Sequence, residues 1–122
     1  MNASEILNIA LKMLGYTENN GNVKLTQRIR NKAVVATNLV YSDIWRVLGK
    51  ENFEPINSTS EKIDLPSDII TDVFVYGICM HIAQSESDGD NQQFYSALYN
   101  RKRTSLSQTG RYKDALPRSF DI

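Results

Sequence analysis

The amino-acid sequence predicts an all-α protein, a bundle of about four helices. Apolar residues recur at three- and four-residue steps in four stretches, a spacing that gathers them on one face of a helix. The segments between these stretches are rich in Asn, Ser, Asp and Gly, which favour turns and end helices. The chain has 122 residues, the size of one domain with one hydrophobic core.

Capping residues bound the first two predicted helices. Ser4 is a good N-cap for the first helix, and Gly15 supplies its end. The second helix runs from about Thr26 to Leu48, and Gly49 stands where that helix ends. Its apolar residues form one stripe: Leu25, Ile29, Ala33, Ala36, Val40, Ile44 and Val47.

The segment from Glu51 to Leu65 has no helical pattern. It contains Pro55 and a polar Asn-Ser-Thr-Ser run. The segment is either an irregular loop or a small β-hairpin with strands near Phe53–Ile56 and Lys62–Leu65. A connection of this length in so small a domain is often functional.

The third predicted helix opens at Pro66, since proline is favoured in a first helical turn. From Ile69 to Ala83 it is apolar nearly all round, which indicates a helix covered on more than one side. We expect other polypeptides to supply part of that cover. Gly77 in its middle costs about 1 kcal/mol relative to alanine, so another backbone is expected to approach closely there.

The fourth predicted helix begins after the turn at residues 85–90. Asp90 is its predicted N-cap, with Gln93 completing a variant of the capping box. The pattern fails after about Gln108. The chain therefore divides into a helical domain, residues 1–108, and a C-terminal tail, residues 109–122.

Positive and negative residues are separated along the chain, although the formal net charge is zero. Residues 1–50 carry a net charge of +4, residues 51–90 a net charge of −8, and residues 91–122 a net charge of +4. These segments either neutralise one another across internal helix contacts or present an acidic and a basic face to neighbouring copies. Overall neutrality disfavours a dedicated nucleic-acid binder.

The sequence predicts a cytosolic protein without a membrane segment. The first 16 residues lack the basic start and continuous apolar run of a signal peptide. The most apolar run, Val73 to Ala83, is far shorter than the roughly 20 residues that span a membrane. The single cysteine, Cys79, excludes an internal disulfide bond and a cysteine-based zinc site.

Sequence signals for catalysis or cofactor binding are weak. Cys79 and the only histidine, His81, are two positions apart on a helix, so they diverge and do not form a nucleophile–base pair. The run from Asp88 to Asn91 is read as a helix-to-helix turn in preference to a calcium loop. Asp64, Asp68 and Asp72 are read as a solvated face near a helix start. We therefore predict a non-enzymatic protein with no cofactor and no metal.

A basic cluster, Arg101-Lys102-Arg103, lies close to Tyr95 and Tyr99 on the fourth predicted helix. Tyrosine and arginine are enriched at protein interfaces, which makes an interface the first interpretation. A solvated helix end is the second. Contact with nucleic acid, through phosphates and stacked bases, is the third.

Residues 65–107 resemble a known family. The matching stretches are LPSDII at residues 65–70, VYGICMHIA at 75–83, GD at 89–90 and FYSALYN at 94–100. This buried helix, Gly-Asp turn and tyrosine-rich helix are similar to the head–tail connector proteins (adaptor or head-completion proteins) of tailed bacteriophages and prophages.

The resemblance implies a function by docking. Such a protein assembles as a homo-oligomeric ring of about a dozen subunits, in which one contact repeats until it closes. The ring binds the portal protein, receives a tail or stopper protein, and extends the channel for DNA that passes without sequence specificity. The protein would be found in the bacterial host cytoplasm during assembly and then in the virion neck.

The candidate protein-contact residues lie on the last helix and in the tail. They are Tyr95, Tyr99, Arg101, Arg103, Arg111, Tyr112, Leu116 and Phe120. For each tail residue, a frayed terminus is an equally good interpretation. Two rival functions stay open. The first is a small helical nucleic-acid-binding module that uses Arg28, Arg30 and Lys32 with the Arg101 cluster, and the second is an enzyme or a metal-dependent nuclease of unfamiliar type.

Overall fold

A computed structural model describes residues 1–108, and this part of the chain is an all-α bundle of four helices, as predicted. Helix α1 spans Ala3–Leu14 and α2 spans Gln27–Val47. Helix α3 is continuous through three parts: an α-helical Ser67–Ile69, a π-helical turn Ile70–Phe74 and an α-helical Val75–Ser85. Helix α4 spans Gly89–Gln108.

The N-cap of helix α1 lies two residues earlier than predicted. Asn2, not Ser4, is the N-cap: its side-chain oxygen accepts a hydrogen bond from the Glu5 N–H at 2.9 Å. The Glu5 carboxylate accepts one in return from the Asn2 N–H at 2.9 Å. This reciprocal pair satisfies two backbone donors that the first turn leaves without helical partners. The predicted end at Gly15 is confirmed, because Gly15 has the left-handed φ of 79°.

The predicted bounds of α2 are confirmed. The Thr26 side chain caps the helix by accepting a hydrogen bond from the Ile29 N–H at 3.2 Å. Gly49 follows the helix with a φ of 73°, a conformation that favours glycine.

Helix α3 is the centre of the bundle, and α1, α2 and α4 all pack against it. Phe74, Cys79, Ile82 and Ala83 are 0% exposed. The prediction that other polypeptides supply part of its cover is therefore wrong, because the other three helices of the same chain already bury it. Helix α3 is apolar on nearly all sides because it is the central helix of the bundle.

Gly77 lies where α3 meets both α2 and α4. A Cβ atom at this position would lie 2.8 Å from Val40 Cγ1 and 2.9 Å from Tyr99 Cε1. The predicted close approach is real, but side chains of the neighbouring helices make it, not a backbone. Glycine here lets the three helices pack closely.

The connection between α2 and α3 is an irregular loop, and the hairpin alternative is not what residues 51–66 adopt. Two hydrogen bonds join the Asn38 side-chain amide to the Ile56 backbone, at 3.0 and 2.8 Å. The Tyr41 hydroxyl accepts a hydrogen bond from the Asp64 N–H at 2.9 Å. The segment also pairs with the N-terminus, where Asn2 and Lys62 form an isolated β-bridge. The loop is therefore held at several points.

We expect Asn38→Ala to lower the free energy of unfolding by about 1–2 kcal/mol, because two part-buried polar groups of Ile56 lose their partner. Urea unfolding followed by circular dichroism measures the change. Asn31→Ala is the matched control, since Asn31 is an exposed residue of the same helix. Equal stabilities of the two variants would contradict the assigned role of Asn38.

Helix α4 is capped by Asp88 and not by the predicted Asp90. The helix begins at Gly89, and the Asn91 N–H donates to Asp88 Oδ1 at 3.4 Å. The Tyr16 hydroxyl donates to Asp88 Oδ2 at 2.6 Å. Together with the Asn91 side chain, this hydrogen bond holds the pKa of Asp88 below its ordinary value. The contact ties the turn after α1 to the turn before α4.

Candidate functional site

Helix α2 carries the most distinctive surface among the described residues. Val35 and Leu39, one turn apart, are 58% and 51% exposed. Arg28, Lys32 and Arg46 fall on the same helical face as this apolar pair. The five positions, 28, 32, 35, 39 and 46, are separated by four, three, four and seven residues. We call these five residues the α2 row. The row has an apolar centre with a cation beyond each end.

A shallow groove of about 290 Å³ runs beside the α2 row, between α2 and α3. It is lined by Lys32, Val35, Ala36, Leu39, His81, Gln84 and Ser85. Burial lowers the pKa of His81, although nearby Asp43 opposes the shift, so the groove favours the neutral imidazole. A neutral imidazole keeps the groove suited to an apolar side chain from another molecule.

The cations of the α2 row remain in water despite their internal partners. Arg28 lies 3.9 Å from Glu86 Oε2, and its side chain is 67% exposed. Arg46 lies 3.1 Å from Asp43 Oδ1, and its side chain is 74% exposed. Surface ion pairs contribute little to stability, so the Arg46 guanidinium group can be redirected to a partner at low cost. Arg28 differs, because it compensates the charge of the buried Glu86 Oε2.

A second surface, of opposite charge, lies on the loop between α2 and α3. Residues 51–64 contain four carboxylates and one lysine, a net charge of −3. Glu51, Glu54 and Asp64 are exposed. Among residues 1–108, no ion pair joins this acidic loop to the α2 row. Within the described residues, the two surfaces therefore do not neutralise each other.

Two of the predicted contact residues are buried in the bundle. Tyr95 is 7% and Tyr99 is 4% exposed. The Tyr95 hydroxyl donates to the Met13 carbonyl at 3.2 Å, and the Tyr99 hydroxyl donates to Asp43 Oδ2 at 2.7 Å. These tyrosines hold α4 against α1 and α2. Their aromatic rings do not form the exposed surface that the sequence interpretation assumed.

Arg103 also binds within the chain. Its Nε and a terminal guanidinium nitrogen donate to the two carboxylate oxygens of Asp43, at 2.6 and 2.9 Å. Arg101 is exposed, so its contact role stays a prediction. The tail candidates Arg111, Tyr112, Leu116 and Phe120 lie outside the described residues, and their roles stay predictions as well.

Asp43 is the centre of this polar cluster. Burial alone would raise the pKa of its carboxyl group, but hydrogen bonds from Arg103 and Tyr99 outweigh burial and lower the pKa. Burial of the phenol, and then its hydrogen bond to Asp43, raise the pKa of Tyr99. The cluster joins α2 to α4 and is a structural link, since its donors and acceptors are matched to each other.

The only cysteine and histidine do not meet. The Cys79 thiol is 0% exposed and donates to the Ala10 carbonyl on α1 at 3.6 Å. Burial raises the pKa of this thiol to about 12, so it is protonated and unreactive at neutral pH. His81 instead lines the groove beside α2. Over residues 1–108, no three His, Cys, Asp or Glu side chains are placed to hold a metal ion.

A larger cavity, of about 560 Å³, lies between the turn after α1 and the turn before α4. Its polar wall includes Tyr16 and Asp88, which are already bonded to each other. Glu86 Oε2 is buried without a hydrogen bond, and the Arg28 guanidinium at 3.9 Å compensates its charge only loosely.

Comparison of the chain with protein-family models, with curated proteins and with solved structures found no match. No helix in the described part of the chain has both the length and the apolar character needed to cross a membrane. What the fold and surface define is a small four-helix protein with an apolar–basic row on one helix and an acidic loop beside another.

The sequence interpretation missed Val35 and Leu39. It considered Arg28 and Lys32 only for a nucleic-acid surface and did not notice that two apolar residues share their face. Writing α2 as a helical wheel would have shown them together, because positions 28, 32, 35, 39 and 46 lie within one narrow sector.

Proposed function

We propose that this protein is a structural subunit of a phage or prophage head–tail connector ring, which docks on the portal and extends the DNA channel. The observation that carries the proposal is the exposed α2 row. The resemblance of residues 65–107 to connector proteins is the reason for proposing this particular assembly. The protein acts by binding other polypeptides and not by transforming a substrate.

The α2 row has the composition of a docking surface. Apolar side chains at the centre of an interface are removed from water on binding, and a polar rim surrounds them. Val35 and Leu39 provide such a centre, while Lys32 and Arg46 provide the rim. Arginine at an interface is a strong contributor because its guanidinium group makes several directed hydrogen bonds.

Co-purification with a portal protein tests the proposed function. The gene should lie beside genes for portal, protease and major capsid proteins, and that portal protein is the partner to use. Tagged portal should retain the untagged chain, and Leu39→Asp should weaken retention at least about tenfold because it places a charge in the apolar centre.

Phe94→Asp is the matched control, since Phe94 is an apolar residue on α4 with 60% exposure. It should retain binding. Failure of the wild-type chain to bind portal and tail proteins would refute the connector proposal. Loss of binding with Phe94→Asp but not with Leu39→Asp would move the docking surface to α4.

A second candidate function is contact with nucleic acid, and the three cations of the α2 row are the observation that favours it. Arg28, Lys32 and Arg46 could each neutralise a phosphate. Affinity for duplex DNA would then fall steeply with salt, and Lys32→Gln would reduce that salt dependence. The apolar centre between the cations makes a protein partner the better match.

A further inference from the structure

We propose that His81 makes docking on the α2 row depend on pH. The groove beside the row receives an apolar side chain of the partner while the imidazole is neutral, and protonation of His81 weakens that contact. This inference rests on the proposed function, because it concerns the same surface. It identifies the residue that regulates the surface and the direction of the effect.

The position of His81 in the groove is the first argument. The groove has a volume of about 290 Å³, and Val35, Ala36 and Leu39 of α2 form its apolar wall. Helix α3 supplies the other wall, which includes His81. An apolar side chain that enters the groove therefore lies against the imidazole and removes water from it.

The hydrogen bonding of His81 is the second argument. Among residues 1–108, no side chain or backbone group forms a hydrogen bond with its imidazole. A protonated imidazole has two N–H donors and a positive charge, so without protein acceptors it depends on water. Burial already lowers the pKa of His81 in the free chain. A docked side chain removes more water, which penalises the charged form further.

The charged groups around His81 do not offset this penalty. Lys32 lines the same groove, and its like charge opposes protonation more strongly once the partner excludes water. The groove residues of α3, Gln84 and Ser85, are uncharged. Asp43 on α2 favours the protonated form, but its charge is already compensated. Three side chains of α2 and α4 bind its carboxylate: Arg46, Tyr99 and Arg103.

The direction of the pH effect follows from these contacts. Docking favours the neutral imidazole, so the pKa of His81 should be lower in the complex than in the free chain. Affinity is therefore complete above the free-chain value and falls as the pH decreases through it, by at most about tenfold per pH unit. Because the free-chain pKa already lies below the ordinary 6.5, the loss is expected on the acidic side of that value.

The affinity for the portal protein, measured by surface plasmon resonance at pH 7.5 and at pH 5.0, tests the inference. Wild type should bind at least about threefold more weakly at the lower pH. His81→Gln has a polar side chain that does not titrate, so it should lose little affinity, and any loss that it shares with wild type belongs to the portal. His81→Lys carries a permanent charge and should bind weakly at both pH values. Circular dichroism verifies that each chain is folded.

A second measurement needs no substitution at His81 and no partner. His81 is the only histidine of the chain, so its imidazole Cε1–H gives one proton resonance whose titration reports its pKa. Lys32→Gln should raise this pKa, because it removes a like charge from the groove. Lys12→Gln is the matched control: it removes the charge of an exposed lysine on α1 and should leave the pKa unchanged.

Parallel losses of affinity by wild type and His81→Gln would overturn the inference, as would stronger wild-type binding at pH 5.0. An equal pKa of His81 in the Lys32→Gln and Lys12→Gln variants would also contradict it. These results leave the connector function standing, since the portal is still bound. A wild-type chain that binds no portal at either pH would refute the connector proposal and this inference with it.

Discussion

Replacing Gly77 with alanine is expected to lower the free energy of unfolding by about 2 kcal/mol. The added methyl group would lie under 3.0 Å from two Val40 methyl groups and from Tyr99 Cε1, at the point where α2, α3 and α4 meet. Alanine favours the helix by about 1 kcal/mol relative to glycine, but the overpacking outweighs this gain. Urea or thermal unfolding measures the difference.

Two further variants separate overpacking from helix propensity. Gly89→Ala is the control, since a methyl group there has no neighbour within 4 Å, and it should be neutral or slightly stabilising. In the double variant Gly77→Ala/Val40→Ala, part of the crowding disappears, so the combined loss should be smaller than the sum of the single losses. An unchanged or increased stability of Gly77→Ala would contradict the assigned packing.

Asp43→Ala is expected to lower the free energy of unfolding by about 2–3 kcal/mol. The carboxylate accepts hydrogen bonds from Tyr99 and from two nitrogens of Arg103, and its side chain is only 20% exposed. Its removal leaves the mostly buried Tyr99 hydroxyl without a partner. Chemical denaturation of the purified variant measures the loss.

The exposed pair between Asp72 and Lys102 provides the control. Its N–O distance is 3.0 Å, but the Asp72 side chain is 58% exposed. Because water screens such a pair, Asp72→Ala should change the free energy of unfolding by less than about 1 kcal/mol. Equal effects of the Asp43 and Asp72 variants would show that the α2–α4 link has no special importance.

The lowered pKa of Asp43 also predicts a pH dependence. The folded-state pKa lies below the ordinary 3.8, so the unfolded chain binds this proton first as the pH falls. The stabilisation from Asp43 is therefore complete above the unfolded value and is lost as the pH falls through the folded one. Between pH 6 and pH 3, wild type should lose more stability than Asp43→Ala, and parallel losses would contradict the assignment.

Local sequence signals were sufficient to predict the helices. The predicted bounds of α2 were correct because Thr26 and Gly49 act through their own backbone neighbours. The caps of α1 and α4 were each assigned two residues too late. Asn2 and Asp88 are as good at capping as the chosen Ser4 and Asp90, and only the three-dimensional turn decides among them.

Contacts between distant parts of the chain could not be predicted from the sequence. Tyr95 and Tyr99 have the composition of an interface, and only the approach of Met13 and Asp43 makes them core residues. The apolar excess of α3 is equally compatible with cover by this chain or by another, and the arrangement of the other three helices decides for this chain. The exposure of Val35 and Leu39 follows from the same arrangement.

The most direct test of the account is the mass of the assembly that the chain forms with the portal protein encoded beside it, measured by native mass spectrometry. We predict several copies of the chain on one portal, and few or none when Leu39→Asp replaces the wild type. A complex that forms equally well with Leu39→Asp, or a wild-type chain that remains alone in the presence of portal, would contradict the claim that the α2 row binds other polypeptides.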